Sequence, residues 1–532
     1  MKPLTEAVIV AENVRAGPDP TESGIPIFDA DGKPRKQADI LIDIGREHDL
    51  FRSLTGTSYA RATVNGHIEV LPLDGSAYRE LLAGRYFKLV GRGCGRNAIS
   101  DALATLSSIA RESESRAVWT RIGESESGIV IDMGSDDWSC VEVTADGWRH
   151  CTAPPAIRRA GAPTAFPKLN ATPNFGLLWK YVNVPEEERV LVAAFMLAAL
   201  RPRGPYPQLH LSGEQGTGKS VIARLLRSLI DPTASPHRAP PREVRDLLVA
   251  AHNSWVLSLD NVSVVTPALS DALCRLATGG AIAERQLYTN VDEVLVELQR
   301  PVILNGIEEL ASRPDLAERA IHIHLDPIER RRSEADLLDE FNADAGSIFA
   351  ALLVALARAL REIGRVQLET LPRMADFAKW AAAGLPALGF TSSEFLRAYE
   401  RNLSDGMALG LESSPVGVAV VSLAREHGEW QGTAAELLIA LSQKVGEQVV
   451  RGKAWPLSAR ALSGTLRRIA PALRGKGIGI RFWKTPDRLR AHMITLSCVA
   501  PAGCSERTEH AEPSERTERT EHLQAEEHEE EL

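Results

Sequence analysis

The stretch from Leu209 to Asp231, LHLSGEQGTGKSVIARLLRSLID, constrains this chain more than any other. It carries Gly213, Gly218, Lys219 and Ser220 in the spacing G-x-x-x-x-G-K-S. A short apolar strand precedes the loop and an amphipathic helix follows it, which is the context a phosphate-binding loop requires. Glycines let the backbone turn tightly and aim its N–H groups at phosphate oxygens. The helix N-terminus adds partial positive charge. The expected contact set is Gly213, Glu214, Gln215, Gly216, Thr217, Gly218, Lys219, Ser220 and Val221, with ATP as the nucleotide. Lys219 would reach the β- and γ-phosphates, and Ser220 would ligate Mg²⁺. A chance match in a glycine-rich turn is the competing reading, and the flanking strand and helix weigh against it. The loop alone leaves open what the energy is spent on.

Three later segments narrow that question. In WVLSLDNVS an apolar strand from Trp255 to Leu259 ends at Asp260, a carboxylate placed to hold the Mg²⁺ through water. The next residue, Asn261, stands where many motor ATPases carry a second acid, so the general base stays open between Asp260 and Glu214. In RPVILNGIEEL a second buried strand ends at Asn305, whose amide could orient the lytic water; an ordinary strand-ending turn residue is the alternative. In SRPDLAERAIHIHLDP, Arg313 and Arg319 precede a final strand. Either could point into a neighbouring subunit's nucleotide and neutralise charge on the γ-phosphate, with Arg319 preferred; a plain surface arginine is the competing reading.

In series, GEQGTGKS, WVLSLDN, LCRLATGGAIAERQLYTNVDEVLVELQRPVILN and RPDLAER resemble superfamily 3 helicases of the AAA+ class. The nearest members are the primase-associated helicase-like ATPases of phages, plasmids and integrated elements. The resemblance implies that Leu276 to Val296 forms a hairpin projecting into the pore of a hexameric ring. It further implies that Arg285, Tyr288 and Asn290 face single-stranded DNA, an arginine pairing with phosphate and a tyrosine stacking on a base. An ordinary hairpin with Tyr288 in a core is the alternative. The tip TNVDE is acidic where many relatives carry Lys or His, and Asn261 replaces an acid; both departures bear on how strongly DNA is gripped and how fast ATP turns over.

The expected fold class is α/β: an AAA+ ATPase core at 170–328, an N-terminal α+β domain at 38–160, a helical region at 329–429 and a winged-helix domain at 430–500. A flexible arm (1–37), a linker (161–169) and a disordered acidic tail (501–532) complete the expected division. SYARATVNGHIEVLPL alternates around Asn65-Gly66 and reads as a hairpin. In the last domain Thr433 reads as a helix N-cap, and Leu462, Leu466, Ile469 and Leu473 form a helical stripe. From Arg451 to Arg490 there are eleven Lys/Arg and one acid, which suits a phosphate backbone. The duplex-DNA candidates are Arg467, Arg468, Lys476, Arg481 and Lys484; a protein-docking domain with a basic surface is the alternative. The formal net charge of −9 is mostly a tail property, since 505–532 carries eleven acids and three arginines.

The six cysteines are scattered without a C-x-x-C pair, as expected of thiols in a reducing cytoplasm. The N-terminus lacks a basic-then-apolar leader, and the run Val190 to Leu200 is too short to cross a bilayer, so a cytoplasmic protein with no membrane partner is expected. The leading functional expectation is an ATP-driven DNA motor replicating a mobile element, a homo-oligomer working with single- and double-stranded DNA and with a separate primase or replication protein. A regulatory or defence ATPase that senses nucleic acid is the second reading. A small-molecule kinase is disfavoured, because it has no use for the later segments.

Overall fold

The computed structural model describes residues 24–498 apart from 152–153, 170–171, 286–292, 307–313, 329–330, 453 and 487–489. The chain begins with α1 (Gln37–Arg46), followed by β1 (Asp49–Ser53), β2 (Ser58–Val64) and β3 (His67–Pro72). Then come α2 (Ser76–Val90), α3 (Arg96–Glu112) and the short β4 (Ser115–Arg116), giving a sheet in the order β3-β2-β1-β4. The hairpin expected at Asn65-Gly66 is present, with φ of 48° and 84°, as a two-residue turn with both residues left-handed requires. Helices α1, α2 and α3 cover this sheet around Leu41, Tyr78, Leu82 and Leu106, all fully buried.

A second sheet follows. It comprises β5 (Trp119–Thr120), β6 (Ile122–Glu124), β7 (Gly128–Asp132), β8 (Cys140–Thr144), β9 (Gly147–Cys151) and β10 (Ile157–Arg158), in the order β10-β5-β6-β7-β8-β9. Its inner residues Ile122, Ile129, Ile131, Val141 and Val143 do not join the first core; they belong to the large core that runs through the centre of the chain. The segment expected as one domain at 38–160 is thus two layers with different packing partners. Residues 161–169, expected as a linker, are also packed: Phe166 is buried and its N–H donates to the Met133 carbonyl.

The central unit opens with α4 (Arg189–Ala199), buried along its whole length, then β11 (Gln208–Ser212), α5 (Lys219–Ile230), α6 (Val244–His252), β12 (Leu257–Val262) and α7 (Pro267–Thr278). The antiparallel pair β13 (Ala281–Arg285) and β14 (Glu293–Glu297) precedes β15 (Val302–Gly306), α8 (Pro314–Ala317) and β16 (Ala320–His324). Strands β12, β15, β11 and β16 form a parallel sheet in that order. Both faces are covered, as the uninterrupted apolar strands demand. Val302 and Leu304 pack with α6 and α7, while Ile303, Leu209 and Ile323 pack with α4, α5 and the long α9 (Glu334–Glu362).

Helix α9 is long and apolar enough to cross a membrane, but it is mostly buried and spends that surface on the core. Helices α10 (Ala375–Gly384), α11 (Ser392–Glu412) and α12 (Pro415–His427) follow. The chain then forms β17 (Glu429–Thr433), α13 (Ala434–Lys444), α14 (Glu447–Val450), α15 (Ala459–Gly475), β18 (Ile478–Lys484) and β19 (His492–Cys498). The last three strands pair antiparallel in the order β17-β19-β18. Thr433 caps α13 through a reciprocal pair with Glu436, and the α15 stripe at Leu462, Leu466, Ile469 and Leu473 is buried in a separate core.

Candidate functional site

The parallel sheet aligns the carboxyl ends of its strands, which is where a crevice opens in such a fold. Strand β11 is paired on both sides, so the loop leaving it at Gly213 has a rigid base. Gly213, Gly216 and Gly218 take φ of 140°, 89° and 78°, a region closed to most side chains. A Cβ at Gly213 would also lie 3.2 Å from the Leu325 carbonyl oxygen. Thr217 is buried and its hydroxyl donates to the Glu214 carbonyl at 3.0 Å, closing the loop. Helix α5 begins at Lys219, and the Lys219 ammonium donates to the Gly213 and Glu214 carbonyls, both at 2.8 Å. Glu214 and Gln215 are exposed at the loop tip, whereas Val221 is half-buried against the core.

Beside the loop, the start of α5 meets the carboxyl-end segments of β12 and β15. The Ser220 hydroxyl donates to Asp260 Oδ1 at 2.9 Å. Asn305, only 2 % exposed, sets its Nδ2 3.4 Å from the same hydroxyl. Its Oδ1 accepts the Asn261 backbone N–H at 2.8 Å. Asn261 has φ of 56° at a bulge between Leu259 and Val262, so β12 kinks immediately after Asp260 and turns an N–H toward Asn305. The Asn261 side chain itself is exposed. Ser220 and Asp260 thus converge two hard oxygen donors on one point, the donor type Mg²⁺ takes. Among the described residues no group of three or more His, Cys, Asp or Glu is arranged so that it could hold a metal ion by itself.

Several neighbours carried no legible motif. A Cβ on Gly216 would meet the Arg331 guanidinium at 3.1 Å, so an arginine from the segment before α9 lies against the phosphate loop. Asn183 donates to the Thr217 carbonyl at 3.2 Å and also bonds the Asp326 carbonyl. The His237 ring, 3.3 Å from the Ser258 hydroxyl, lies on the Asp260 side; burial, only partly offset by Asp260, holds it below its usual pKa, and Arg227 and Arg224 add to the lowering. All three come from loops, where neither periodicity nor spacing marks a residue.

Glu188 sits just before α4, against the end of β16. Burial pushes its carboxyl up to about 7, although a hydrogen bond with the His324 backbone pulls the other way. A carboxylate whose folded pKa lies above its unfolded value binds its proton more tightly when folded. Its stabilising contribution is therefore fully present below about pH 4.5 and is lost as pH rises from there through about 7. Replacing Glu188 by Gln is expected to raise the thermal midpoint at pH 8 and to leave it nearly unchanged at pH 4. A gain of equal size at both values would refute this assignment.

The arginines and the DNA candidates are spread more widely. Arg319 is half-buried, and its Nη1 donates to the Asp315 carbonyl at 2.7 Å on α8. Arg313 lies outside the described residues, as do Tyr288 and Asn290. Arg285 ends β13, paired in register with Glu293. In the C-terminal unit, Arg467 lies 4.3 Å from the Phe482 ring centroid, and Arg468 bonds the Thr465 hydroxyl. The Lys476 ammonium is 2.9 Å from Glu412 on α11, so this lysine ties the unit to the helical region. Arg481 and Lys484 are exposed, and the two-residue period of β18 puts them on opposite faces.

Two family models match the chain. Residues 176–406 match the replication protein of actinomycete integrative conjugative elements, and residues 416–514 match the C-terminal domain of that replication protein. No curated protein matches. Among solved structures, the active helicase Cch of SCCmec type IV is 14% identical, with 85% of this chain and 93% of that one covered and a TM-score of 0.45. The C-terminal region of NrS-1, in its A-form apo structure, is 12% identical, with 87% and 98% covered and a TM-score of 0.38.

Proposed function

We propose, from the premise that this chain is a replication protein of the kind carried by a mobile element, that it is an ATP-dependent DNA helicase or translocase. The observation that carries the reading is the convergence of Ser220, Asp260 and Asn305 beside the phosphate loop. In this reading the loop N–H groups and the α5 N-terminus bind the nucleotide's phosphates. Lys219 exchanges its two loop carbonyls for β- and γ-phosphate oxygens. Arg331 adds a second cation from the same chain. Ser220 and Asp260 hold Mg²⁺, which when bound supplies charge neutralisation across the phosphates. Asn305, fixed by the Asn261 N–H, orients the attacking water.

The finer parts of the proposal follow the superfamily 3 resemblance within the AAA+ class. Subunits assemble as a ring, expected to be a hexamer, with Arg319 reaching a neighbour's nucleotide once subunits meet. The β13–β14 hairpin tracks single-stranded DNA, and the unit from α12 to β19, arranged as a winged helix, binds duplex through Arg467, Arg468, Arg481 and Lys484. A separate primase or other replication protein completes the apparatus. A second reading, a nucleic-acid-sensing regulatory ATPase, is favoured by one observation: no second carboxylate follows Asp260, and the exposed Asn261 takes that position.

The two readings separate in one experiment. ATP turnover is measured with and without single-stranded DNA, and strand displacement is followed on a forked duplex. The motor predicts DNA-stimulated turnover together with displacement. Stimulated turnover without displacement would select the regulatory reading, and a protein that stays monomeric with ATP and DNA would remove the role given to Arg319.

A further inference from the structure

A cavity of about 30 Å³ lies where the second sheet meets the far end of α5. Its walls carry five guanidinium groups, from Arg121, Arg158, Arg159, Arg227 and Arg238, against two carboxylates, Asp132 and Asp231. The carboxylates are fully engaged. Asp132 accepts from Nη2 and Nε of Arg159, at 2.7 and 2.9 Å, and Asp231 accepts the Val256 N–H at 2.9 Å while pairing with Arg227 at 3.4 Å and Arg121 at 3.7 Å. The side chains of Arg121 and Arg227 are only 3 % and 2 % exposed. Yet Nη1 of Arg121, and Nε of both Arg227 and Arg238, have no hydrogen-bond partner among the described residues, and Arg121 Nε has only the 3.7 Å ion pair with Asp231. Buried charges of one sign are costly unless matched by the opposite charge.

The backbone adds a separate sign. Arg121 has φ of 68°, a left-handed conformation that is unfavourable for a non-glycine residue and persists where the surroundings hold it. That conformation aims the guanidinium inward, where its Nη2 bonds the Thr164 and Pro232 carbonyls and its plane lies 4.5 Å from the Phe166 ring centroid. Burial, only partly offset by Asp231, lowers the pKa of Arg121 and Arg227. The volume admits a small oxyanion or two waters but no nucleoside.

We propose that this seam binds a free tetrahedral oxyanion, phosphate or sulfate, which clamps the second sheet to the nucleotide unit. The walls carry five arginines against two aspartates, the charge balance such an anion needs, and a small turn of the Arg227 or Arg238 side chain would bring an unpartnered N–H to it. The site also has a mechanical link to the candidate nucleotide site. Arg238 is bridged to Leu259, and its carbonyl accepts the Asp260 N–H at 2.9 Å. The inference does not rest on DNA translocation, and its test reads binding rather than turnover.

The test uses the full chain carrying Lys219→Ala, which weakens anion binding at the phosphate loop. Sodium phosphate, sulfate and chloride are titrated at constant ionic strength, with calorimetric affinity and thermal midpoint as readouts. Phosphate and sulfate are expected to bind and to raise the midpoint, whereas chloride is not. Adding Arg238→Gln is expected to weaken binding about tenfold or more, the loss of a charge-assisted donor. Among the described residues the Arg238 side chain makes one hydrogen bond, to the Ser254 hydroxyl at 3.1 Å, so its replacement disturbs folding less than that of Arg121, which bonds the Thr164 and Pro232 carbonyls and pairs with Asp231. Arg121→Gln, if it folds, should weaken binding further. Equal responses to all three salts, or phosphate binding that survives Arg238→Gln undiminished, would overturn the proposal; the second result would assign the anion to the phosphate loop.

Discussion

Lys219→Ala is expected to lower ATP turnover by about 10²–10³-fold while leaving the fold intact. Under the proposed function, the loss follows from removing a preorganised cation from the place where charge would develop on the transferred phosphate, worth about 3–4 kcal/mol in a water-poor site. The fold should tolerate the change, because the ammonium bonds only two loop carbonyls and the half-buried side chain supports no core layer. The measurement is steady-state phosphate release at saturating ATP, with circular dichroism and thermal midpoint as controls. A variant that retains turnover within threefold would remove the phosphate loop from the mechanism. Turnover lost together with the fold would show that Lys219 is structural.

Asp231→Ala is expected to destabilise the chain by about 3–5 kcal/mol, the range for removing one partner of a buried ion pair. Asp231 ends α5, is 6 % exposed, and stands between Arg121 and Arg227. Without it two buried guanidinium groups lose their shared carboxylate, and the Val256 N–H loses its acceptor. Asp231→Asn should cost less, since an amide oxygen can still accept from Val256. Denaturant unfolding at pH 7 gives both values. A loss below about 1 kcal/mol for Asp231→Ala would mean that the seam is hydrated enough to screen its charges.

Local features were legible in the sequence for a local reason. The conformation of the loop between β11 and α5 depends on the backbone of a few consecutive residues, so the spacing of Gly213, Gly218, Lys219 and Ser220 is enough to expect it. The Asn65-Gly66 turn and the Thr433 cap are equally short-range, each settled within four residues. Asp260 and Asn305 could be nominated because each ends an apolar strand, and a parallel sheet brings such ends together.

Other features are decided by packing between distant segments, and their residues look ordinary in sequence. The sheet from Trp119 to Arg158 reads as part of an N-terminal domain, yet its apolar face is buried with α9, some two hundred residues later. Asn261 reads as a missing acid. The bulge at Leu259 instead turns its backbone N–H into the support of Asn305. Arg331 and His237 lie in loops and gain meaning only from Gly216 and Ser258 beside them. The sequence by itself determined the glycine-rich turn from β11 into α5, because backbone conformation is a property of neighbouring residues. Only the tertiary structure decided what surrounds it, from the Asn305 support to the arginine seam under α5, because burial and charge pairing depend on which distant surfaces meet.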